Sequence, residues 1–95
     1  MTAYVVNEIT VTDPETYRTY AAGVPETLAK YGGRFLVRGG AVEAVDGEPP
    51  TGRIVIVEFP SMAQARAWRN SPEYGAILGI RNAASTSRVF IVEGA

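Results

Sequence analysis

Apolar and polar positions along this chain fall into short alternating blocks and longer stripes with a helical period. Tyr4 to Val11 is rich in β-branched and aromatic residues and predicts a first strand. Asp13-Pro14 then predicts a helix start, with a capping carboxylate and a proline at the first helical position, where its missing N–H costs nothing. Tyr17, Tyr20, Ala21, Val24, Leu28 and Tyr31 continue from there at helical spacing, one apolar stripe. Pro25 lies inside that stripe and predicts a kink or a restart near Gly23-Val24. Gly32-Gly33 ends the helix as a left-handed cap and turn.

Arg34 to Arg38 reads as the second strand and Ile54 to Phe59 as the third. Between them the section Val42 to Val45 offers a continuation of the second strand past a glycine bulge at Gly39-Gly40, and Pro49-Pro50 rules out regular pairing at the end of that connection. Ser61-Met62-Ala63-Gln64 is a capping-box pattern that opens a short helix through Trp68. Ser71-Pro72-Glu73 opens another, with Tyr74, Ile77, Leu78 and Arg81 on one face. Arg88 to Glu93 is the closing strand. The order is β-α-β-β-α-β with the second helical part broken at Asn70-Ser71, which predicts an α+β, ferredoxin-like single domain over residues 1–95: a four-stranded antiparallel sheet with its helices on one face.

Strand three places Ile54 and Ile56 on one face and Val55, Val57 and Phe59 on the other; strand four sets Phe90 and Val92 against Val89 and Ile91. Both faces are apolar, and helices cover one. A second copy of the same sheet is the simplest cover for the other, so a homodimer joined through its sheet faces, burying well over ~1,000 Å², is expected. Alternation does not say which of the two sets meets the partner.

Composition narrows the chemistry. The 95 residues carry 9 basic and 10 acidic side chains, a balance without the footprint of a nucleic-acid binder. With neither cysteine nor histidine, sulfur or imidazole metal ligands and the Ser-His-Asp and Cys-His nucleophile arrangements are unavailable, so no metal, haem or other cofactor is expected. No apolar run approaches a membrane span and the first residues do not read as an export signal; a cytoplasmic protein is expected. Eight of the nine cations are arginine, Lys30 being the exception, which favours planar, forked contacts to carboxylates or phosphates.

The segments KYGGRFLVRGG at 30–40, VEFPSMAQARAWRNSPEY at 57–74 and SRVFIVEG at 87–94 resemble the family called domain of unknown function 1330, of the dimeric α/β-barrel superfamily. The resemblance spans nearly the whole chain and implies a ferredoxin-like homodimer with its two sheets face to face. It implies no activity. The wider superfamily includes cofactor-free monooxygenases, small isomerases and haem-degrading enzymes. Asn7 and Trp68 occupy places comparable to an asparagine and a tryptophan of the haem-degrading members, whose iron-ligating histidine this chain lacks.

Side chains alternate along a strand, so Arg34, Leu36 and Arg38 are expected on one face and Phe35 and Val37 on the other. A register with Arg38 opposite Ile54 brings Leu36 to Ile56 and Arg34 to Glu58, an ion pair that leaves Arg38 without a partner. Arg38, beside the expected bulge, is thus a candidate to contact an anionic ligand in a cleft or the partner subunit. Arg81 completes an apolar stripe and either snorkels its head to water or lines a cleft between helix and sheet. Trp68 and Tyr74 are core or cleft residues, and Tyr17, Tyr20 and Tyr31 are packing residues of which one could reach a pocket. Glu8, Glu58 and Glu93 are too scattered for an acid-base pair. Two functions follow from these residues: a homodimeric small-molecule-binding protein or cofactor-free enzyme for a small organic acid, its ligand held by Arg38, Trp68, Tyr74 and Arg81, or a dimeric accessory module without chemistry of its own.

Overall fold

The computed structural model describes residues 1–95. The elements in chain order are β1 (Ala3–Val11), α1 (Pro14–Tyr31), β2 (Arg34–Arg38), β3 (Arg53–Phe59), α2 (Met62–Arg69), α3 (Pro72–Ala84) and β4 (Ser85–Glu93). The strands form one antiparallel sheet in the order β2-β3-β1-β4, the ferredoxin-like α+β arrangement. No helix is long and apolar enough to cross a membrane.

Local chemistry sets the helix ends. Asp13 caps α1 by accepting from the Thr16 N–H and hydroxyl, Ser61 caps α2 by accepting from the Gln64 N–H, and Ser71 caps α3 by accepting from the Tyr74 N–H. Gly32, at φ 77°, closes α1 in the left-handed region that a side chain disfavours. The helices bury Tyr17, Tyr20, Val24, Leu28, Trp68 and Tyr74 against Ala3, Val5, Ile9, Val55, Val57 and Phe59 of the sheet.

Four expectations change. α1 is one helix from Pro14 to Tyr31, with Pro25 inside it instead of a restart. The buried residues Val24, Thr27 and Leu28 carry the packed face past the proline, so tertiary packing offsets the missing bond. β4 begins at Ser85, not Arg88, because β1 offers a ladder partner as far as the Val11–Ser85 pair. The Val42–Val45 section does not prolong β2: both valines are exposed in a connection without strand. The Gly39 N–H still donates to the Ile54 carbonyl, but β3 begins at Arg53 and offers no further ladder.

The fourth change concerns the bulge. It falls at Leu36, between Phe35 and Val37, and not at Gly39-Gly40. Arg34 pairs with Glu58 and Phe35 with Val57, as the uninterrupted register requires, but then Val37 meets Ile56 and Arg38 meets Val55. One extra residue therefore reverses the alternation. Phe35, half-buried, packs against the core and Leu36 and Val37 share the open side of Ile56, while Arg38 moves to the helix side with Val55. The expectation that Arg34 and Arg38 share a face is overturned.

Candidate functional site

The reversal brings Arg38 to a cleft between α1 and the β2 edge of the sheet. Asn7, Ile9, Val55 and Val57 form its sheet wall, Tyr17, Tyr20, Ala21 and Val24 its helix wall, and Trp68 joins them from α2. Phe35, Arg38 and Arg53 complete the lining. The free volume of about 30 Å³ is room for about one or two waters. A larger guest must move a side chain.

Arg38 is the side chain placed to move. It is exposed, its guanidinium carbon lies 4.3 Å from the centre of the Phe35 ring, and its Nη2 donates to the Ala21 carbonyl at a long 3.4 Å. That carbonyl is available for a physical reason. Ala21 is four residues before Pro25, which has no N–H to give, so the proline frees the acceptor that Arg38 uses. A break in the helical ladder on α1 and a bulge on β2 thus meet in one contact.

Arg53 flanks Arg38 from the start of β3. Its guanidinium stands 5.6 Å from the centre of the Tyr17 ring and packs on Gly39, where a Cβ would come within 2.7 Å of it. Gly39 at φ 72° is therefore required twice, by its backbone conformation and by Arg53. The Arg53 Nε is buried without a hydrogen-bond partner. The ion pairs of the chain are Lys30–Glu73, Arg34–Glu58 and Arg88–Glu8, so no carboxylate serves Arg38 or Arg53.

Asn7 Nδ2 donates to the Val55 carbonyl at 3.1 Å. Trp68 Nε1 donates to the Thr27 hydroxyl at 3.0 Å, which in turn donates to the Val24 carbonyl. The indole is 3% exposed and rests 4.1 Å, centre to centre, from the ring of Tyr74. Burial raises the pKa of the Tyr17 hydroxyl, and burial next to Tyr74 raises that of Tyr20, so both keep their protons at neutral pH. No three His, Cys, Asp or Glu side chains group as a metal site.

Of the four candidate residues from the sequence, Arg38 and Trp68 line the cleft, and Tyr74 and Arg81 stand behind it. Arg81 is 5% exposed, so it does not snorkel to water. It donates from Nη1 to the Tyr74 hydroxyl, whose oxygen lies 2.8 Å from that of Tyr20. Sequence reasoning did not single out Arg53. Its place one residue before the apolar run Ile54–Val57, with helix-facing parity, was the available signal. Arg34 does meet Glu58 across the sheet, Nε to Oε1 at 2.7 Å.

The fold recurs among solved structures. The RPA0582 protein of unknown function from Rhodopseudomonas palustris is similar at TM-score 0.79 and 20% identity, over 99% of this chain and 82% of that one. SnoaB, a cofactor-independent oxygenase from Streptomyces nogalater, is similar at TM-score 0.70 and 20% identity, over 99% and 93%. An antibiotic biosynthesis monooxygenase is similar at TM-score 0.56 and 17% identity, over 100% and 99%. These likenesses show the fold alone, an antiparallel ferredoxin-like α+β sheet. Curated proteins give no match. The family model described as domain of unknown function (DUF1330) matches residues 2–95, and the chain belongs to that family.

Proposed function

We propose that this protein binds a small planar organic acid in the α1–sheet cleft, as a homodimer joined through the uncovered sheet face. The observation that carries the ligand reading is the pair of guanidinium groups without carboxylate partners, Arg38 and Arg53, at the mouth of an aromatic and apolar cleft. Forked cations match a carboxylate, and the rings of Tyr17, Phe35 and Trp68 suit a flat apolar body. Arg38 and Trp68 contact the ligand directly, and Tyr74 and Arg81 support it from behind. Cofactor-free chemistry on such an acid is the enzymatic form of this reading, and SnoaB is a cofactor-independent oxygenase of similar fold. The dimeric accessory module would leave the two guanidinium groups unexplained.

The homodimer rests on the uncovered face, where Leu36, Phe90 and Val92 are among the large apolar residues left exposed. A monomer by light scattering at micromolar concentration removes it. For the ligand, titration of benzoate and of neutral benzamide into ¹⁵N-labelled protein is the test. Benzoate is expected to shift the amides of β2 and α1 at concentrations where benzamide does not. Equal responses to the two, or none, sink the organic-acid reading.

A further inference from the structure

In the whole molecule two buried side-chain polar atoms lack a hydrogen-bond partner, the Nε atoms of Arg53 and Arg81. Arg53 looks onto the cleft. Arg81 is shut in behind it, with no carboxylate against it, an arrangement that native structures avoid unless something else uses the charge. Its partners are the Tyr74 hydroxyl at 3.2 Å and the Asn82 amide oxygen at 3.5 Å.

A guanidinium can only donate, so in the first of these contacts the Tyr74 oxygen accepts. Tyr74 is 0% exposed, and its own hydroxyl hydrogen must find an acceptor inside the protein. The Tyr20 oxygen, 2.8 Å away, is that acceptor. The opposite order, Tyr20 donating to Tyr74, would strand the Tyr74 hydrogen where water does not reach and forfeit a hydrogen bond. The chain of groups therefore has a direction: Arg81 to Tyr74 to Tyr20. The hydrogen left over is that of Tyr20, which has no acceptor in the protein, and Tyr20 is the one of the three that lines the cleft.

We propose that Arg81, acting through Tyr74, sets Tyr20 as a hydroxyl donor aimed at an anionic oxygen of the ligand in the cleft. The ligand half of this proposal rests on the organic-acid reading above; the direction of the chain does not. Tyr20 is then a ligand-binding residue, and Tyr74 and Arg81 are positioning residues. A cation at the closed end polarises both hydroxyls toward the cleft, as in any cooperative hydrogen-bond chain. Arg38 and Arg53 hold the acid at the mouth while Tyr20 reads an oxygen further in. High pH does not switch the donor off in the ordinary range, because burial keeps the Tyr20 proton in place.

Neutron diffraction from deuterium-exchanged protein tests the direction. The deuteron on Tyr74 is expected to point at Tyr20 and that on Tyr20 into the cleft; the reverse arrangement overturns the proposal whatever the protein binds. Benzoate titration of wild type, Tyr20→Phe, Tyr74→Phe and the double variant tests the consequence. Each single variant should bind at least about tenfold more weakly, the loss of a hydrogen bond to a charged group. The double variant should bind no more weakly than Tyr20→Phe, because Tyr74 acts only through Tyr20. Unchanged binding by Tyr74→Phe, or a further loss in the double variant, overturns the positioning role. Wild type that ignores benzoate, with the deuterons placed as described, removes the ligand half and leaves the direction standing.

Discussion

The two faces of the sheet carry similar apolar side chains and treat their arginines in opposite ways. On the helix side Ala3, Val5, Ile9, Val55, Val57 and Phe59 are buried, and the arginines that reach this side, Arg38 and Arg53, have no acid beside them. On the open side Val6 lies between Ile56 and Phe90, Tyr4 beside Val92, and Leu36 is 47% exposed. There both arginines are paired, Arg34 with Glu58 and Arg88 with Glu8. An apolar band bracketed by self-satisfied charges suits contact with another surface. An apolar cleft flanked by cations without acid partners suits a small anion. Charge pairing, more than hydrophobicity, separates the two faces, because apolar content is high on each.

The largest expected effect comes from a charge in the middle of the open face. Ile56 stands between Val6 and Val37. Ile56→Asp should cost about 3 to 5 kcal/mol of dimer stability, as an unpaired buried charge does, and sedimentation should then show monomers. An Ile56→Asp protein that stays as associated as wild type would mean that the open face is not the contact.

Arginines on opposite faces sharpen the contrast. Arg53→Met should weaken benzoate binding by about 1.5 to 3 kcal/mol, while removing an orphaned buried Nε and so raising the melting temperature. Arg34→Ala should lower stability by about 0.2 to 1 kcal/mol, as loss of an exposed pair does, with benzoate affinity unchanged. Parallel calorimetry of the two variants checks both signs; stability changes in the same direction would break the comparison.

Pro25→Ala returns an N–H to the Ala21 carbonyl and should displace Arg38 from it. Nuclear relaxation of the Arg38 side chain should report greater mobility, with stability no lower than wild type, because proline disfavours a helix interior. Unaltered Arg38 relaxation would show that the freed carbonyl is not what holds it.

The smallest effect is expected in the helical layer that covers one face. Glu73 on α3 accepts from Lys30 and Tyr31 of α1, and the Lys30 contact holds its pKa down at about 2, against an ordinary 4.5. A lowered folded-state pKa contributes stability at pH above 4.5 that is lost as pH falls toward 2. Glu73→Gln should flatten the acid limb of the melting curve over that interval, and an unchanged limb would place the acid sensitivity elsewhere.

Much of this was legible in the residues. Capping side chains and glycine stops are local, so Asp13-Pro14, Ser61, Ser71-Pro72 and Gly32 marked the helix ends, and alternation in Ile54–Phe59 showed that both faces are apolar. The Arg34–Glu58 pair also followed, because it precedes the bulge and keeps the simple register. The cleft was less legible. Arg38 and Trp68 could be suspected from their residue types, but Arg53 gave only a parity, and the Leu36 bulge had no glycine to announce it.

Tertiary structure decided those remaining features. A bulge settles a competition between two strands and the layer above them, here letting Phe35 stay against the core while Leu36 and Val37 turn outward. Pro25 looks like a helix breaker until the buried stripe beyond it and an arginine from another strand are both in place. The direction of the Arg81–Tyr74–Tyr20 chain depends on α1 and α3 bringing together hydroxyls 54 residues apart, one of them sealed from water. The chain by itself determined element order, element ends and apolar faces, because those depend on neighbours in sequence. Packing decided which side Arg38 faces and which two hydroxyls meet behind the cleft, because each depends on what lies across from it.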